Sequence, residues 1–259
     1  MTALAQTYQV TGRHLRFFLR QPYFIGIALV QPVIWLLLFG ALFQNVTAIP
    51  GFQTGGSYLD YLVPGVVIMT ALFSCGWSGM AVIDDLNRSI IDRFLVTPIH
   101  RSAIIAGLNL YEIVSLAIQI AIIGILAVIL GAHFVGGIVG FGVLTLSAML
   151  VGLSVAGISD ALALTLRQRE SVIGVNTLLT LPLTFLSAAF MPLNLVPSWI
   201  ATIAAYNPVN WAVEAGRQAL TSDSPDWQLI LPRLAGLAIL AILTTAWATR
   251  NFRSYQRSI

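Results

Sequence analysis

The sequence contains no lysine, one cysteine and few charged residues of either sign. Only 9% of its 259 residues are charged, against about 25% in a typical soluble domain, and 58% are apolar. Its surface is therefore expected to face lipid rather than water. Without lysine the chain cannot form a phosphate-binding loop of the GxxxxGK[ST] type, so any nucleotide hydrolysis that drives it must occur on another chain. The single Cys75 excludes an intrachain disulfide and is expected to be a small core residue.

Long apolar segments dominate what is present. Six of them approach or exceed the roughly 20 residues that a membrane helix needs. They are Phe24–Phe43, Leu62–Ile83, Ala103–Leu130, Phe134–Leu166, Val172–Met191 and Leu229–Thr249. These runs predict an all-α integral membrane protein with six transmembrane helices. No internal repeat or low-complexity linker divides the chain, so residues 1–259 are predicted to form a single domain.

The arginines are distributed unevenly between the segments that connect these spans. Eleven lie before the first span, between spans two and three, between spans four and five, or after the sixth; the other two are Arg217, before the sixth span, and Arg233, near its start. This positive-inside bias predicts that both termini face the cytoplasm. Because the net charge of +3 follows the topology, it is no sign of a nucleic-acid partner.

Residues 1–21 have the pattern of an amphipathic helix lying on the membrane surface. Apolar side chains recur at helical spacing on one face, at Leu4, Tyr8, Leu15, Phe18 and Leu19. Arginines gather on another face, at Arg13, Arg16 and Arg20. Such a helix suits an anionic cytoplasmic leaflet, where it would contact membrane lipids. The alternative is a frayed basic tail.

Between spans two and three, an island of charge covers residues 84–101, with the sequence DDLNRSIIDRFLVTPIHR. The spacing predicts a short helix over about Asp84–Val96, in which Asp84, Arg88 and Asp92 pair along one face. Pro98 ends this helix, because the residue before a proline is pushed out of the helical region. The polar face of the helix is free for a partner outside the membrane, although a solvated connector would have the same pattern.

Before the sixth span, residues 192–228 are apolar but repeatedly interrupted by proline. Two short helices are predicted, about Pro197–Ala205 and Pro208–Leu220, with Asn207 capping the second. The tryptophans and tyrosine of this segment are typical of a membrane interface, so we expect an exoplasmic re-entrant hairpin or, alternatively, an ordinary interfacial loop. Glu214 and Arg217, three residues apart, are expected to pair with each other.

Two acidic residues fall within the apolar spans. Glu112 lies about 14 Å into the third span, where an unpaired carboxylate would be costly. Asp160 lies nearer the cytoplasmic end of the fourth span, within reach of the headgroups. Each either lines a cavity or locks two helices together, or is a buried packing residue. The histidines have no metal-ligand neighbours at useful spacing, and we predict neither a metal site nor a catalytic residue.

Three segments of the chain resemble the permease family of type-2 ABC exporters, particularly its daunorubicin and multidrug-efflux branch. They are RSIIDRFLVTPIHRSAIIAG (88–107), LTFLSAAFMPLNLVPSWI (183–200) and YNPVNWAVEAGRQAL (206–220). The order of these segments and the six-span topology agree over essentially the whole chain. Asp92 stands where the family more often has glutamate, which keeps the charge.

The resemblance implies a half-transporter in a bacterial plasma (inner) membrane. Two permeases, identical or paralogous, would face each other, with an ATPase subunit docked on each; ATP and magnesium would bind to the ATPase. The charged island would be the coupling helix, and the loop between spans four and five a second contact. The ATPase-coupling residues would then be Arg88, Asp92, Arg93, Phe94, Pro98, Arg101, Arg167, Arg169 and Glu170.

The resemblance also implies a translocation path between the two copies of spans one, two and five. The candidates that those spans offer here are Gln31, Trp35, Phe39, Met69, Phe73, Trp77, Thr177, Thr180 and Phe185. Aromatic, methionine and threonine side chains suit an amphipathic, drug-like or lipid-like substrate. Packing and lipid contact would account for the same residues.

Two other functions fit parts of the sequence. A membrane enzyme of isoprenoid or lipid diphosphate chemistry could hold Mg²⁺ on Asp84, Asp85 and Asp92, although such enzymes usually need a second acidic cluster and the chain has none. A proton-coupled secondary transporter could use Glu112.

Overall fold

The computed structural model describes residues 3–20, 22–45, 57–87 and 101–257. Its α-helices, in chain order, are α1 (Ala3–Arg20), α2 (Pro22–Ile34), α3 (Gly40–Leu42), α4 (Tyr58–Gly76), α5 (Ser78–Asn87), α6 (Arg101–Ile129), α7 (Gly137–Leu166), α8 (Arg169–Phe185), α9 (Ser198–Tyr206), α10 (Pro208–Thr221) and α11 (Trp227–Arg257). A π-helical turn, Trp35–Phe39, joins α2 to α3. The described residues form no strand, in agreement with the predicted all-α membrane protein.

Four stretches of the described chain are long and apolar enough to cross a membrane: Tyr58–Asn87, Ala106–Ile129, Gly137–Leu166 and Trp227–Phe252. Gly26–Leu42 is apolar but shorter. The predicted fifth span ends as a helix at Phe185, not at Met191, because contacts from α10 hold the next residues in a turn. The predicted second span is two helices, α4 and α5, interrupted at Trp77.

Helix α7 lies at the centre of the bundle and contacts α4, α5, α6, α8, α10 and α11. Glycines on α7 let its neighbours approach closely, as in many membrane bundles. A Cβ added at Gly157 would lie 2.8 Å from the main chain of Thr244 on α11, and one at Gly140 would overlap the carbonyl group of Ala219 on α10. Both contacts are closer than a side chain tolerates, so these crossings require glycine.

The two ends of the bundle have different chemistry. At the charged end, α1, α5 and the start of α8 meet through Arg13, Asp84, Asp85 and Arg169. At the hairpin end, α9 and α10 pack beside the start of α4 and the turn that follows α8. The 30 residues of α7 connect the two ends, a distance of about 45 Å at about 1.5 Å per residue.

The start of α4 is fixed at the hairpin end by a capping box. The Ser57 hydroxyl accepts from the Asp60 amide, and the Asp60 carboxylate accepts from the Ser57 amide at 2.7 Å. The other carboxylate oxygen of Asp60 accepts from the His133 amide at 2.7 Å. Asp60 therefore ties the loop before α7 to the first turn of α4.

The predicted surface helix corresponds to α1. It packs against α6, and the Thr11 hydroxyl donates to the carbonyl of Gly107 at 3.0 Å. Tyr8, one of the predicted apolar positions, is 77% exposed. The helix is therefore docked on the bundle along one side and open along another.

Candidate functional site

A cavity of about 150 Å³ lies between α2 and α4. It is lined by five of the residues expected along a translocation path, namely Gln31, Trp35, Met69, Phe73 and Trp77. Pro32 also lines it, and the missing amide of this proline weakens the helix just before the π-helical turn. The path residues of spans one and two thus surround a common space.

The polar groups of this cavity come largely from residues that the sequence analysis did not select. Thr70 and Ser74 of α4 and Gln119 of α6 also line the wall. Gln119 donates to the Ser74 hydroxyl at 3.1 Å and is 2% exposed, so it is packed between two helices. A glutamine in the middle of an apolar span is a signal that could have identified it.

A second cavity, of about 60 Å³, lies on the other side of Phe73 and Trp77, between α4 and α8. Thr177 and Thr180, the path candidates of the fifth span, line this space. Phe73 and Trp77 therefore form a wall that the two cavities share.

Phe39 and Phe185 line neither cavity and instead meet around Phe190. The ring centroid of Phe190 is 5.4 Å from that of Phe39, 5.9 Å from that of Phe185 and 5.0 Å from that of Trp35. Phe190 comes from the turn after α8 and was not selected from the sequence, since it lies in a continuous apolar run. The cluster joins the first and fifth predicted spans at the hairpin end.

The interruption at Trp77 leaves main-chain groups that α4 and α5 cannot pair themselves. The carbonyl of Gly76 accepts from the Ser159 hydroxyl at 2.7 Å and from the Asn176 amide. The amide of Gly79 donates to the Ser159 hydroxyl at 3.1 Å. Side chains of α7 and α8 therefore satisfy the break, as a membrane interior requires.

Asp160 belongs to the same polar network. It accepts a hydrogen bond from the Ser78 hydroxyl at 2.7 Å, and its residue is 0% exposed. Asp160 is therefore a buried, hydrogen-bonded side chain that joins α7 to α5. Glu112 on α6 is also buried, at 8% exposed, and forms no ion pair within the described part of the chain.

The hairpin of α9 and α10 is hydrogen-bonded to the turn that follows α8. Asn207 caps α10, as predicted, by accepting from the Val209 amide at 2.9 Å, and it donates to the carbonyls of Leu183 and Leu186. Pro208, at the first position of α10, needs no hydrogen-bond partner there. One asparagine side chain thus joins the end of α8 to the start of α10.

The expected pairing of Glu214 with Arg217 is wrong. Glu214 pairs with Arg233 of α11. Arg217 donates to the carbonyls of Tyr61 and Ala188, the latter at 2.8 Å, and its guanidinium carbon lies 3.6 Å from the centre of the Tyr61 ring. The partners of Arg217 are therefore main-chain carbonyls and an aromatic ring from distant segments, and not Glu214, its neighbour in sequence.

At the charged end, the two described acids of the island pair with different helices. Asp84 pairs with Arg169 of α8 at 3.2 Å, and Asp85 pairs with Arg13 of α1 at 2.8 Å. Each carboxylate is therefore matched with a separate guanidinium, an arrangement unlike a shared magnesium site. Arg88 and Asp92, the other members of the row predicted with Asp84, lie outside the described residues.

The remaining coupling candidates divide between described and undescribed parts of the chain. Arg88, Asp92, Arg93, Phe94 and Pro98 lie outside the described residues. Arg101 is the first residue of α6, and Glu170 is exposed in the first turn of α8. Arg167 ends α7 in the left-handed conformation, with φ of 52°. Arg167 and Arg169 therefore form the sharp connection between α7 and α8.

Comparison with known proteins gives a consistent assignment. Residues 5–221 match the ABC-2 type transporter family. A daunorubicin resistance ABC transporter permease protein of Streptomyces coeruleorubidus is 28% identical over 246 residues, which cover 94% of this chain and 86% of that protein. The ycf38 protein of Cyanophora paradoxa, which carries a transport-permease name, is 33% identical over 75% of this chain and 67% of its own length. An inner membrane transport permease of Escherichia coli K12 is 28% identical over 73% of each chain. The chain therefore belongs to the ABC-2 type transporter family.

Proposed function

We propose that this protein is the permease subunit of an ATP-binding-cassette exporter and that it forms the translocation path for an amphipathic, drug-like or lipid-like substrate. The observation that carries the proposal is the family match over residues 5–221, together with the permease names of the relatives. A separate subunit supplies ATP hydrolysis, because a chain without lysine has no P-loop. The described residues contain no group of three or more His, Cys, Asp or Glu side chains that could hold a metal ion, which is compatible with a transport subunit.

In this proposal the chain crosses the inner membrane six times. The four long apolar stretches are joined by the α2–α3 segment and by α8. Both termini and the charged end face the cytoplasm, since eleven of the thirteen arginines lie on that side. The hairpin end, with α9 and α10, lies at the outer leaflet.

Two ATPase subunits drive two permeases, identical or paralogous. The segment that begins after α5 is the coupling element, with Arg88, Asp92, Arg93, Phe94, Pro98 and Arg101. The start of α8 is a second contact. The ion pairs Asp84–Arg169 and Asp85–Arg13 support this role, because they connect the base of the coupling segment to α8 and α1. A displacement of the coupling segment would therefore be transmitted to both α8 and α1.

The cavity between α2 and α4 is the part of the path that meets the cargo. Its aromatic walls and its few polar groups suit a molecule with a planar apolar body and hydrogen-bonding substituents. A volume of about 150 Å³ is small for a drug-sized ligand, which typically needs about 300 Å³ or more. The second permease would therefore complete the site in the assembled transporter.

Reconstitution tests this function directly. The chain, its ATPase and any second permease are placed in liposomes, and ATP-dependent movement of an anthracycline such as daunorubicin is followed by fluorescence. Transport is expected only when the ATPase and ATP are both present. Transport by the chain alone, without ATP, would refute the assignment. Transport that requires a proton gradient and is lost in Glu112→Gln would favour the secondary transporter instead.

A further inference from the structure

An open trough on the surface of the bundle shares no lining residue with the two cavities described above. It has a volume of about 870 Å³ and runs between α6 and α11, with Leu150 and Leu153 of α7 on its floor. Most of its lining is alanine and aliphatic side chains, namely Ala106, Leu110, Ile113, Ala238, Ala241, Ile242 and Ala246. Asn109 and Thr245 also line it, and the Asn109 amide donates to the Thr245 hydroxyl at 3.4 Å. The small residues of α11 keep the trough open, because larger side chains at these positions would fill the space between α11 and α6.

The length of the trough along α11 is close to the thickness of a single membrane leaflet. Along α11 its lining extends from Ala238 to Arg250, about 18 Å at about 1.5 Å per residue. One leaflet contributes about 15 Å of hydrocarbon to a bilayer core of about 30 Å. Thr7 of α1 and Arg250 line one end of the trough, and Ala238 lines the other. It therefore matches the path of one acyl chain.

The mouth of the trough is positively charged and carries hydroxyl groups. Arg250 lines it together with Thr7 and Thr249. Arg250 is exposed, and none of the ion pairs among the described residues includes it. No acidic residue is among the described residues that line the trough. A guanidinium that forms no ion pair within the described part of the chain, above a largely apolar channel, is complementary to a phosphate ester that carries a hydrocarbon chain.

We propose that this trough binds one anionic phospholipid from the leaflet at the charged end. The phosphate lies at Arg250, and one acyl chain lies along Leu150 and Leu153. Such a site is distinct from general lipid contact, because it requires both the charge at the mouth and the empty channel below it. The bound lipid would hold α6 and α11 at a fixed separation and so stabilise the fold.

The test uses the full-length chain, purified in detergent, and follows its melting temperature during titration with phosphatidylglycerol or phosphatidylcholine. Phosphatidylglycerol is expected to raise the melting temperature, and phosphatidylcholine to have a much smaller effect. Arg250→Gln should require roughly fivefold more phosphatidylglycerol for half of the increase, since one arginine near an anionic surface contributes about 1 kcal/mol. Ala246→Trp, which fills the channel, should abolish the increase.

Two variants control for general effects of charge and bulk. Arg167→Gln removes another exposed arginine at the charged end, outside the trough, and Leu243→Trp enlarges a side chain of α11 that is 61% exposed and also outside the trough. Both should respond to lipid as the native chain does. An equal response of all variants, or of both lipids, overturns the proposal. The proposal is also overturned if the chain is a dimer and Ala246→Trp dissociates it without changing the lipid response. A second copy of the chain would then occupy the trough.

Discussion

The side-chain amide of Asn176 donates to the main-chain carbonyl of Gly76, at the residue where α4 ends. The hydroxyl of Ser159 donates to the same carbonyl at 2.7 Å. Two neighbouring helices thus satisfy a break that would otherwise expose unpaired backbone to hydrocarbon. Because Trp77 follows this carbonyl and lines both cavities, the network also fixes the wall between them.

Replacing Asn176 with leucine should destabilise the protein. The change keeps the volume of the side chain but removes the amide, which leaves the Gly76 carbonyl with one donor and the Ser159 hydroxyl with one partner fewer. Loss of a partner to a buried polar group typically costs about 1–3 kcal/mol. Thermal unfolding of the purified chain, with the lipid composition held constant, measures this loss.

A neighbouring threonine provides the matched control for Asn176. Thr177 is exposed, and its hydroxyl donates only within its own helix, to the Ile173 carbonyl at 2.9 Å. Thr177→Val should therefore leave the melting temperature almost unchanged. If both variants unfold at the native temperature, the break at Trp77 does not depend on α8.

Arg217→Lys should destabilise the hairpin end even though the charge is kept. Arg217 serves two carbonyls and the Tyr61 ring at once, which a planar guanidinium can do and an ammonium cannot. We expect a loss of about 2–3 kcal/mol in the free energy of unfolding, from one or two charge-assisted hydrogen bonds and the ring contact. Arg233→Lys, at a residue with a single ion pair, should lose less. Equal losses would mean that the fork geometry of Arg217 contributes nothing.

The corrected pairing of Glu214 can be measured with a double-mutant cycle. Glu214→Gln and Arg233→Gln should show a coupling energy of about 0.2–1 kcal/mol, the range of partly exposed ion pairs, since both side chains remain about one quarter exposed. The corresponding cycle of Glu214 with Arg217 should give a smaller value. A larger coupling to Arg217 would restore the pairing expected from sequence.

Local sequence patterns predicted many of the helices but few of the partners of individual side chains. Asn207 and Pro208 mark a helix start by their own chemistry, so the start of α10 could be predicted from a few residues. The partners of Arg217 could not, because Tyr61 lies in α4, far away in sequence, and the carbonyls of Ala188 and Ala189 belong to a turn that exists only after α8 and α10 have packed. The break at Trp77 was missed for a related reason. The glycines beside it are common in membrane helices, and the donors that make it tolerable come from α7 and α8.

Cysteine labelling tests the proposed orientation. The chain has a single cysteine, which is buried, so a Cys75→Ala background permits one new cysteine at a time. Trp199→Cys, at a residue 58% exposed in α9, should react with a membrane-impermeant maleimide in spheroplasts with sealed inner membranes. Arg16→Cys, exposed on α1, should react only after the membrane is opened. The reverse pattern would place the termini outside and contradict the arginine distribution.

Joint replacement of Asp92 and Arg93 with alanine tests the proposed coupling segment. Both side chains precede the proline at which the predicted helix ends, and the resemblance to exporter permeases places them against the ATPase. The variant should insert normally but lose substrate transport, while the ATPase either keeps hydrolysing ATP or dissociates from the complex. ATP hydrolysis and transport are measured in the same vesicles, with Arg16→Gln as the control for loss of charge on the same side. Because Asp84 and Asp85 connect the base of this segment to α8 and α1, Asp84→Asn should weaken coupling by a smaller factor. Unchanged coupling in the double variant would move the ATPase contact elsewhere, and the start of α8 would be the next segment to test.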